Sequence, residues 1–346
     1  MAISCEGGGE TSSAGEMDGA EASEETAESE ADVGEATDAD DSQSTDEGTN
    51  ADEGESTSSD EGEGTSADES TSADEDTSAD TGEGEGESTS DTGNEGTACK
   101  RGMAYGYHSL ADLEVLSPSV SWWYNWATTP DEGTDPGYAA LGFEFVPMVW
   151  GSWFDVDEVL AAIPDDAEAL LGFNEPNFFS QANISAEEAA ALWPSLETIA
   201  DAGQLKLISP AVNYCGGGCW SEDPFVYLDA FFAACEDCRI DAIAVHWYAC
   251  DGPALEWYLG EMAQYGKPIW LTEFSCGDGD DLSLETQLTY MADALAILEA
   301  DPLVERYAWF AGRTEVIPNV SLLGADGELT ELGELYVSAP AACDED

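Results

Sequence analysis

Eight short apolar runs recur along the chain after residue 98: "MAYGYH", "VSWWYNWA", "FEFVPMVWG", "ALLGFNEP", "KLISPAV", "DAIAVHWY", "PIWLTEFS" and "RYAWFAG". Each is nearly continuous in hydrophobicity rather than strictly alternating, the pattern of strands covered on both faces. Between several of them the apolar positions repeat with helical spacing, over Ser185 to Ala202, Phe225 to Ala234, Ala254 to Tyr265 and Leu284 to Ala300. Strands alternating with helices predict a parallel sheet joined by right-handed crossovers. Eight such units within residues 99–346 match an α/β fold of the (β/α)8 TIM-barrel type, which takes about 250 residues. An open doubly wound sheet is the alternative, but no Gly-rich phosphate fingerprint follows the first run.

In a barrel, chemistry sits where strands end at their carboxyl side. The residues that close these runs are therefore the candidates: His108, Asn125 and Trp126, Trp150, Asn174 and Glu175, Asn213, His246 to Tyr248, Glu273 and Trp309. Among them Glu175 in "LLGFNEPN" and Glu273 in "PIWLTEFS" terminate the fourth and seventh runs. Two carboxyl groups facing one cleft are what glycosidic hydrolysis needs, one protonated to expel the leaving oxygen and one ionised to attack the anomeric carbon. A helix cap or an arginine partner is the competing use of a single strand-end glutamate. The chain has eleven tryptophans, and aromatic faces suit sugar rings. Trp193 and Trp257 fall at helical positions and are expected in the core.

Composition divides the chain into two materials. Of the 76 acidic residues, 33 lie in residues 1–98, where there is no Lys, Arg, Phe, Trp or Tyr; 43 lie beyond, with all seven bases. The first segment, rich in Ser, Thr, Gly and acids with near-repeats such as "TSADES" and "TSADED", buries too little apolar surface to offset chain entropy and reads as a disordered acidic stalk. The acidic excess of residues 99–346 excludes nucleic acid as a partner. It fits either a high-salt habitat or plain solubility. No apolar run approaches the ~20 residues of a membrane span.

Nine cysteines are present. The start "MAISCEGGG" resembles the end of a bacterial lipoprotein signal, making Cys5 a candidate lipid anchor, against the alternative of a stray thiol in the tail. The other eight, from Cys99 on, form an even set that favours disulfides and an oxidising, extracellular or cell-surface compartment. Cys99 and Cys343 bracket the domain. The "CGGGC" and "CEDC" pairs offer a four-thiolate zinc site as the alternative to disulfides. "CGDGDDLSLE" lacks the spacing of a full calcium loop, and Asp281 or Ser283 there is expected to cap the following helix.

The ordered set "GFNEPN", "VHWY", "IWLTEF" and "YAWF" resembles glycoside hydrolase family 128 of the clan A barrel enzymes, secreted endo-β-1,3-glucanases related to the fungal alkali-sensitive-linkage protein. The resemblance runs from "YGYHS" to "YAWFAG" and includes none of the acidic tail. It implies Glu175 as acid/base, Glu273 as nucleophile, and Asn174 as the residue holding the sugar 2-hydroxyl. His246 and Tyr248 match the family's His-Trp-Tyr at the sixth strand, and Trp309 the tryptophan that floors the cleavage subsite. Asn125, Trp126 and Trp150 are further substrate-binding candidates. The implied activity is retaining hydrolysis of a β-glucan polysaccharide, without cofactor or metal, by a monomer. Action on β-1,4-glucan or mannan, and a surface glucan-binding role without turnover, are the alternatives.

Overall fold

The structure is a computed structural model that describes residues 99–341; the acidic segment, Cys5 and Cys343 lie outside the described residues. The eight apolar runs supply eight parallel strands: β1 (Arg101–Ala104), β2 (Trp122–Tyr124), β3 (Glu144–Phe145), β4 (Ala169–Leu171), β5 (Lys206–Ile208), β6 (Ile243–Trp247), β7 (Ile269–Phe274) and β8 (Val304–Phe310). Helices alternate with them: α1 (Leu110–Leu116), α2 (Gly137–Ala140), α3 (Val156–Ala162), α4 (Ala186–Gly203), α5 (Pro224–Ala234), α6 (Gly252–Met262), α7 (Leu284–Ala300) and α8 (Glu331–Ser338). The longer helices begin where the sequence places caps. Ser185 closes a capping box with Glu188 before α4, and Ser283 accepts from the Thr286 amide before α7, with Asp281 accepting from Ser283 N. No helix among the described residues is long and apolar enough to cross a membrane.

Strand pairing runs β3-β2-β1-β8-β7-β6 in one sheet and β4-β5 in another. The ladder expected to close therefore has two gaps, between β3 and β4 and between β5 and β6. Isolated parallel bridges cross them: Met148 to Leu171 at the first, Ile208 to Ala242 and Val212 to Val245 at the second. At the first gap Pro147, just after β3, carries no N–H for a ladder; at the second, side chains take ladder N–H groups, Leu207 N donating to Asp241 Oδ2 at 2.8 Å and Ala244 N to Ser209 Oγ at 2.9 Å.

The core is aromatic. Trp122, Trp123, Trp193, Trp270 and Trp309 are all essentially inaccessible to solvent, so packing absorbs more of the tryptophans than the sequence suggests. Trp193 meets Phe173 and Phe231 edge-on and donates to Arg239 O at 3.0 Å. Trp257 does not join it; on α6 it stays 53 % exposed, because the buried stripe of that helix is Leu255, Tyr258, Leu259 and Met262.

Cysteines pair as disulfides: Cys215–Cys219, Cys235–Cys238 and Cys250–Cys276. The thiols of "CGGGC" and "CEDC" thus bond within each motif, which removes the zinc alternative. Cys99 is disulfide-bonded as well.

Arg101, at the start of β1 and opposite the carboxyl ends, is buried with its guanidinium spread over five acceptors. It donates to Tyr307 Oη (2.8 Å), Glu299 Oε1 (2.9 Å), Ala339 O (3.0 Å), Pro340 O (2.7 Å) and Tyr336 O. Arg101→Met should lower unfolding free energy by about 3–5 kcal/mol, because Glu299 loses its counter-ion, keeping the Tyr307 hydroxyl, and three carbonyls lose their donor. Urea denaturation measures this. A loss as small as the ~0–1 kcal/mol of an exposed pair such as Lys206–Glu305 would show that the network does not hold the helices to the sheet.

Candidate active site

Glu175 and Glu273 converge at the carboxyl end of the sheet. Both are 4 % exposed. One oxygen of each, together with a His246 ring nitrogen, fits within 4.8 Å of one another. These three are also the one group among the described residues that offers three clustered metal-type donors, but each is already engaged by protein hydrogen bonds.

Local backbone features deliver these side chains. Past β4 the chain turns at Glu175, whose φ of 41° is in the left-handed region, a conformation that a non-glycine residue holds only when its surroundings enforce it. The enforcing contacts are Glu175 N to Ala211 O at 2.8 Å and Phe178 N to Glu175 O at 3.0 Å. Between β6 and β7 the register shifts after Val245, so that Val245 faces Leu271 but His246 faces Glu273. This irregularity re-aims His246 onto the carboxyl pair.

Glu273 is a hub for donors. Tyr124 Oη (3.0 Å) and Trp126 Nε1 (2.8 Å) donate to Oε1, and Tyr248 Oη donates to Oε2. Burial pushes its pKa above the ordinary 4.5, while His246 and the Tyr248 and Trp126 hydrogen bonds pull against that shift. Burial and the two carboxylates raise the Tyr248 hydroxyl well above its normal range, which keeps it a donor.

Glu175 is held differently. Asn213 Nδ2 donates to its Oε1 at 3.0 Å, and His246 Nδ1 approaches the same oxygen at 3.0 Å and Glu273 Oε2 at 3.4 Å. Burial pulls the His246 pKa down, but Glu273 and Glu175 outweigh it, so the net shift is upward.

Two concavities flank the pair. One of about 620 Å³ is lined by Trp126, Trp150, the 99 % exposed Trp153, Phe154 and Asp155. The other, of about 190 Å³, is lined by Asn213, Tyr214, Trp247, Tyr248 and Asp278. Trp126 touches Glu273 and borders the first; Asn213 touches Glu175 and borders the second. Aromatic rings thus line both concavities, and each concavity borders a residue that hydrogen-bonds one of the carboxyls.

Of the residues singled out in the sequence, Trp126, Trp150, Asn174, Glu175, His246, Tyr248 and Glu273 gather here. Asn174 is buried with no hydrogen-bond partner on its side-chain oxygen, and its backbone N–H donates to Trp150 O at 2.9 Å. Three residues do not gather. Trp309 points away from the cleft, fully buried between β8 and the helices: it packs edge-on against Phe274 at 5.0 Å, lies near Tyr290 and Tyr336, and donates to Val320 O. It cannot floor a subsite. Its neighbour Phe310 faces inward, touching Trp126 and Tyr248. Asn125 spends its amide on Thr129 O and Asp131 Oδ1, bracing the turn that presents Trp126. His108 is buried against Tyr105 and Trp123, and burial drives its pKa down to about 4, so it is neutral. Tyr124 and Asn177 complete the surroundings, and sequence reading passed over both.

A family model described as glycosyl hydrolase catalytic core matches residues 102–336. Among solved structures, a GH128 (subgroup II) endo-β-1,3-glucanase from Sorangium cellulosum is 53 % identical, with a TM-score of 0.66, covering 70 % of this chain and 99 % of its own. A GH128 (subgroup I) endo-β-1,3-glucanase from Amycolatopsis mediterranei, in complex with laminaritriose, is 32 % identical, with a TM-score of 0.57 and coverage of 70 % and 99 %. Alkali-sensitive linkage protein 1 of Schizosaccharomyces pombe is 34 % identical over 258 residues, 71 % of this chain; the chain spans 44 % of that relative's length. Matched from β1 to α8 by the family model, and 53 % identical over the aligned 70 % of its length to a GH128 enzyme covered to 99 %, the chain belongs to the glycosyl hydrolase catalytic-core proteins and, among them, to glycoside hydrolase family 128.

Proposed function

We propose that the chain is a retaining endo-β-1,3-glucanase, with Glu273 as nucleophile and Glu175 as acid/base. The observation that carries the reading is the approach of the two carboxyl groups to within 4.8 Å. That spacing agrees with the roughly 5–5.5 Å of retaining enzymes and is short of the ~6.5–9.5 Å that an inverting enzyme needs for its water. The linkage comes from the relatives: the Sorangium enzyme is a β-1,3-glucanase and the Amycolatopsis one binds laminaritriose. On this reading the eight strands form an irregular (β/α)8 barrel, residues 99–346 are the catalytic domain and residues 1–98 its acidic stalk. The disulfides fit action outside the cytoplasm.

Catalysis follows from the hydrogen bonds. Asn213 and His246 both bind Glu175 Oε1, so Oε2 carries the proton to the glycosidic oxygen. The C1–O bond breaks as a Glu273 oxygen bonds C1, giving a covalent glycosyl-enzyme. Glu175, now ionised, takes a proton from water, which attacks C1 from the face the leaving sugar vacated. Two inversions restore the β-configuration. Proton NMR of laminarin digestion should show the β-anomer first; an initial α-anomer would overturn the nucleophile assignment.

Glu273 works as an anion, and burial raises its pKa. The active form is therefore lost as pH falls through that raised value, and the acid limb of kcat/KM should lie above 4.5. Tyr248→Phe removes a donor to the anion and should move the limb to higher pH. A limb that stays in place or moves down would show that Tyr248 does not stabilise the charged form.

A further inference from the structure

Asn177, the residue after the Asn-Glu-Pro turn, is completely buried and joins three segments of chain. Its Nδ2 donates to Asn213 O at 2.8 Å and to Ser221 O at 3.2 Å. Its own carbonyl accepts from Trp220 N at 2.8 Å. Asn213 is the residue whose side chain donates to Glu175 Oε1. The loop that supplies Ser221 and Trp220 is stapled by Cys215–Cys219 and docked on the turn, with Cys219 bridged to Phe178 and Phe179 N donating to Gly218 O at 3.0 Å.

The chemistry of this spot calls for a neutral double donor. Both acceptors are backbone carbonyls, so an apolar residue of similar size would strand them and a carboxylate would repel them. Asn213 in turn binds Glu175 with a neutral amide, which orients a carboxyl without holding it ionised. Its aim depends on where its backbone is fixed: Val212 before it is bridged to β6, and Asn177 holds its own carbonyl.

We propose that Asn177 is a positioning residue for the acid/base: by clamping the Asn213 backbone to the disulfide-stapled loop, it aligns Asn213 and hence Glu175 with the leaving oxygen. The inference rests on the glucanase reading above. Asn177 acts on proton delivery alone, so the penalty for losing it scales with the leaving group's need for a proton. A sugar alkoxide needs one badly; a dinitrophenolate hardly at all.

The test compares kcat/KM on a laminari-oligosaccharide and on a dinitrophenyl β-laminaribioside for Asn177→Ala, Asn213→Ala and the double variant. Asn177→Ala should lose about tenfold or more on the oligosaccharide, the scale of a small misalignment, and less than about threefold on the aryl glycoside. The double variant should be no worse than Asn213→Ala, since both act through one contact. Equal losses on the two substrates, additive effects, or a wild-type rate on the oligosaccharide would overturn the clamp. If Asn177→Ala does not fold, the paired Cys215→Ser/Cys219→Ser variant loosens the same loop with Asn177 in place; it should show the same selective loss, and an unselective one overturns the proposal. An unmodified enzyme inactive on the oligosaccharide would sink the glucanase reading and the clamp together, whereas an active one with unselective variants sinks the clamp alone.

Discussion

Glu273→Gln should reduce kcat on soluble β-1,3-glucan by at least about a thousandfold, a modest expectation beside the ~10⁶ lost when a protease nucleophile is removed. The amide keeps the shape of the carboxylate but cannot form the glycosyl-enzyme. Folding should survive, for a reason visible in the donors around it. Tyr124 and Trp126 both donate to Oε1, which the glutamine oxygen replaces. The NH2 then falls opposite Tyr248, whose hydroxyl can turn round and accept. The substitution also takes a charge out of a site where burial penalises it, so thermal stability should hold or rise. Near-wild-type turnover by a correctly folded Glu273→Gln protein would remove Glu273 from the chemistry.

How much of this was legible in the sequence depends on which physical signal each feature left. The strands were readable because parallel strands covered on both faces become continuous apolar runs, and "PIWLTEFS" stands out from its polar flanks. The same continuity hides which way a side chain points. In "YAWFAG" nothing distinguishes Trp309 from Phe310, yet one residue of register sends the first to the helices and the second to the cleft. "HWY" is the same case: His246 and Tyr248 meet the glutamates while Trp247 stacks on Tyr258 of α6. Helices α4 and α7 were long enough for periodicity and carried serine caps. The seven-residue α1 and α3 span two turns each and left no periodic trace. Asn213 was visible only as a strand-end polar residue, and Asn177 not at all, since a side chain that binds backbone carbonyls has no partner in the sequence to betray it. Closure failed to read through because the ladder gaps depend on the register of Pro147 and on Asp241 and Ser209 side chains taking ladder N–H groups, which an apolar run does not display.

Glu175→Ala should separate the two halves of the reaction. On glucan, where the departing oxygen must be protonated, kcat/KM should fall by about 10²–10⁴, the usual contribution of a general acid. On a dinitrophenyl β-laminaribioside the first step needs no acid, so the glycosyl-enzyme forms quickly and then waits, because the base that activates water is missing as well. A burst of dinitrophenol followed by a slow steady state is the expected trace. Azide should relieve the block, being a nucleophile that has no proton to lose and is small enough for the space left by the side chain. With Glu273 still in place on the opposite face, the product should be the β-glycosyl azide. Asn213 Nδ2 and His246 lose a shared acceptor, but the Asn213 backbone stays anchored through its carbonyl to Asn177, and His246 Nδ1 remains 3.4 Å from Glu273 Oε2. The pocket should therefore keep its shape for the anion. An α-glycosyl azide, or glucan hydrolysis at the wild-type rate, would mean that the proton is delivered by some group other than Glu175.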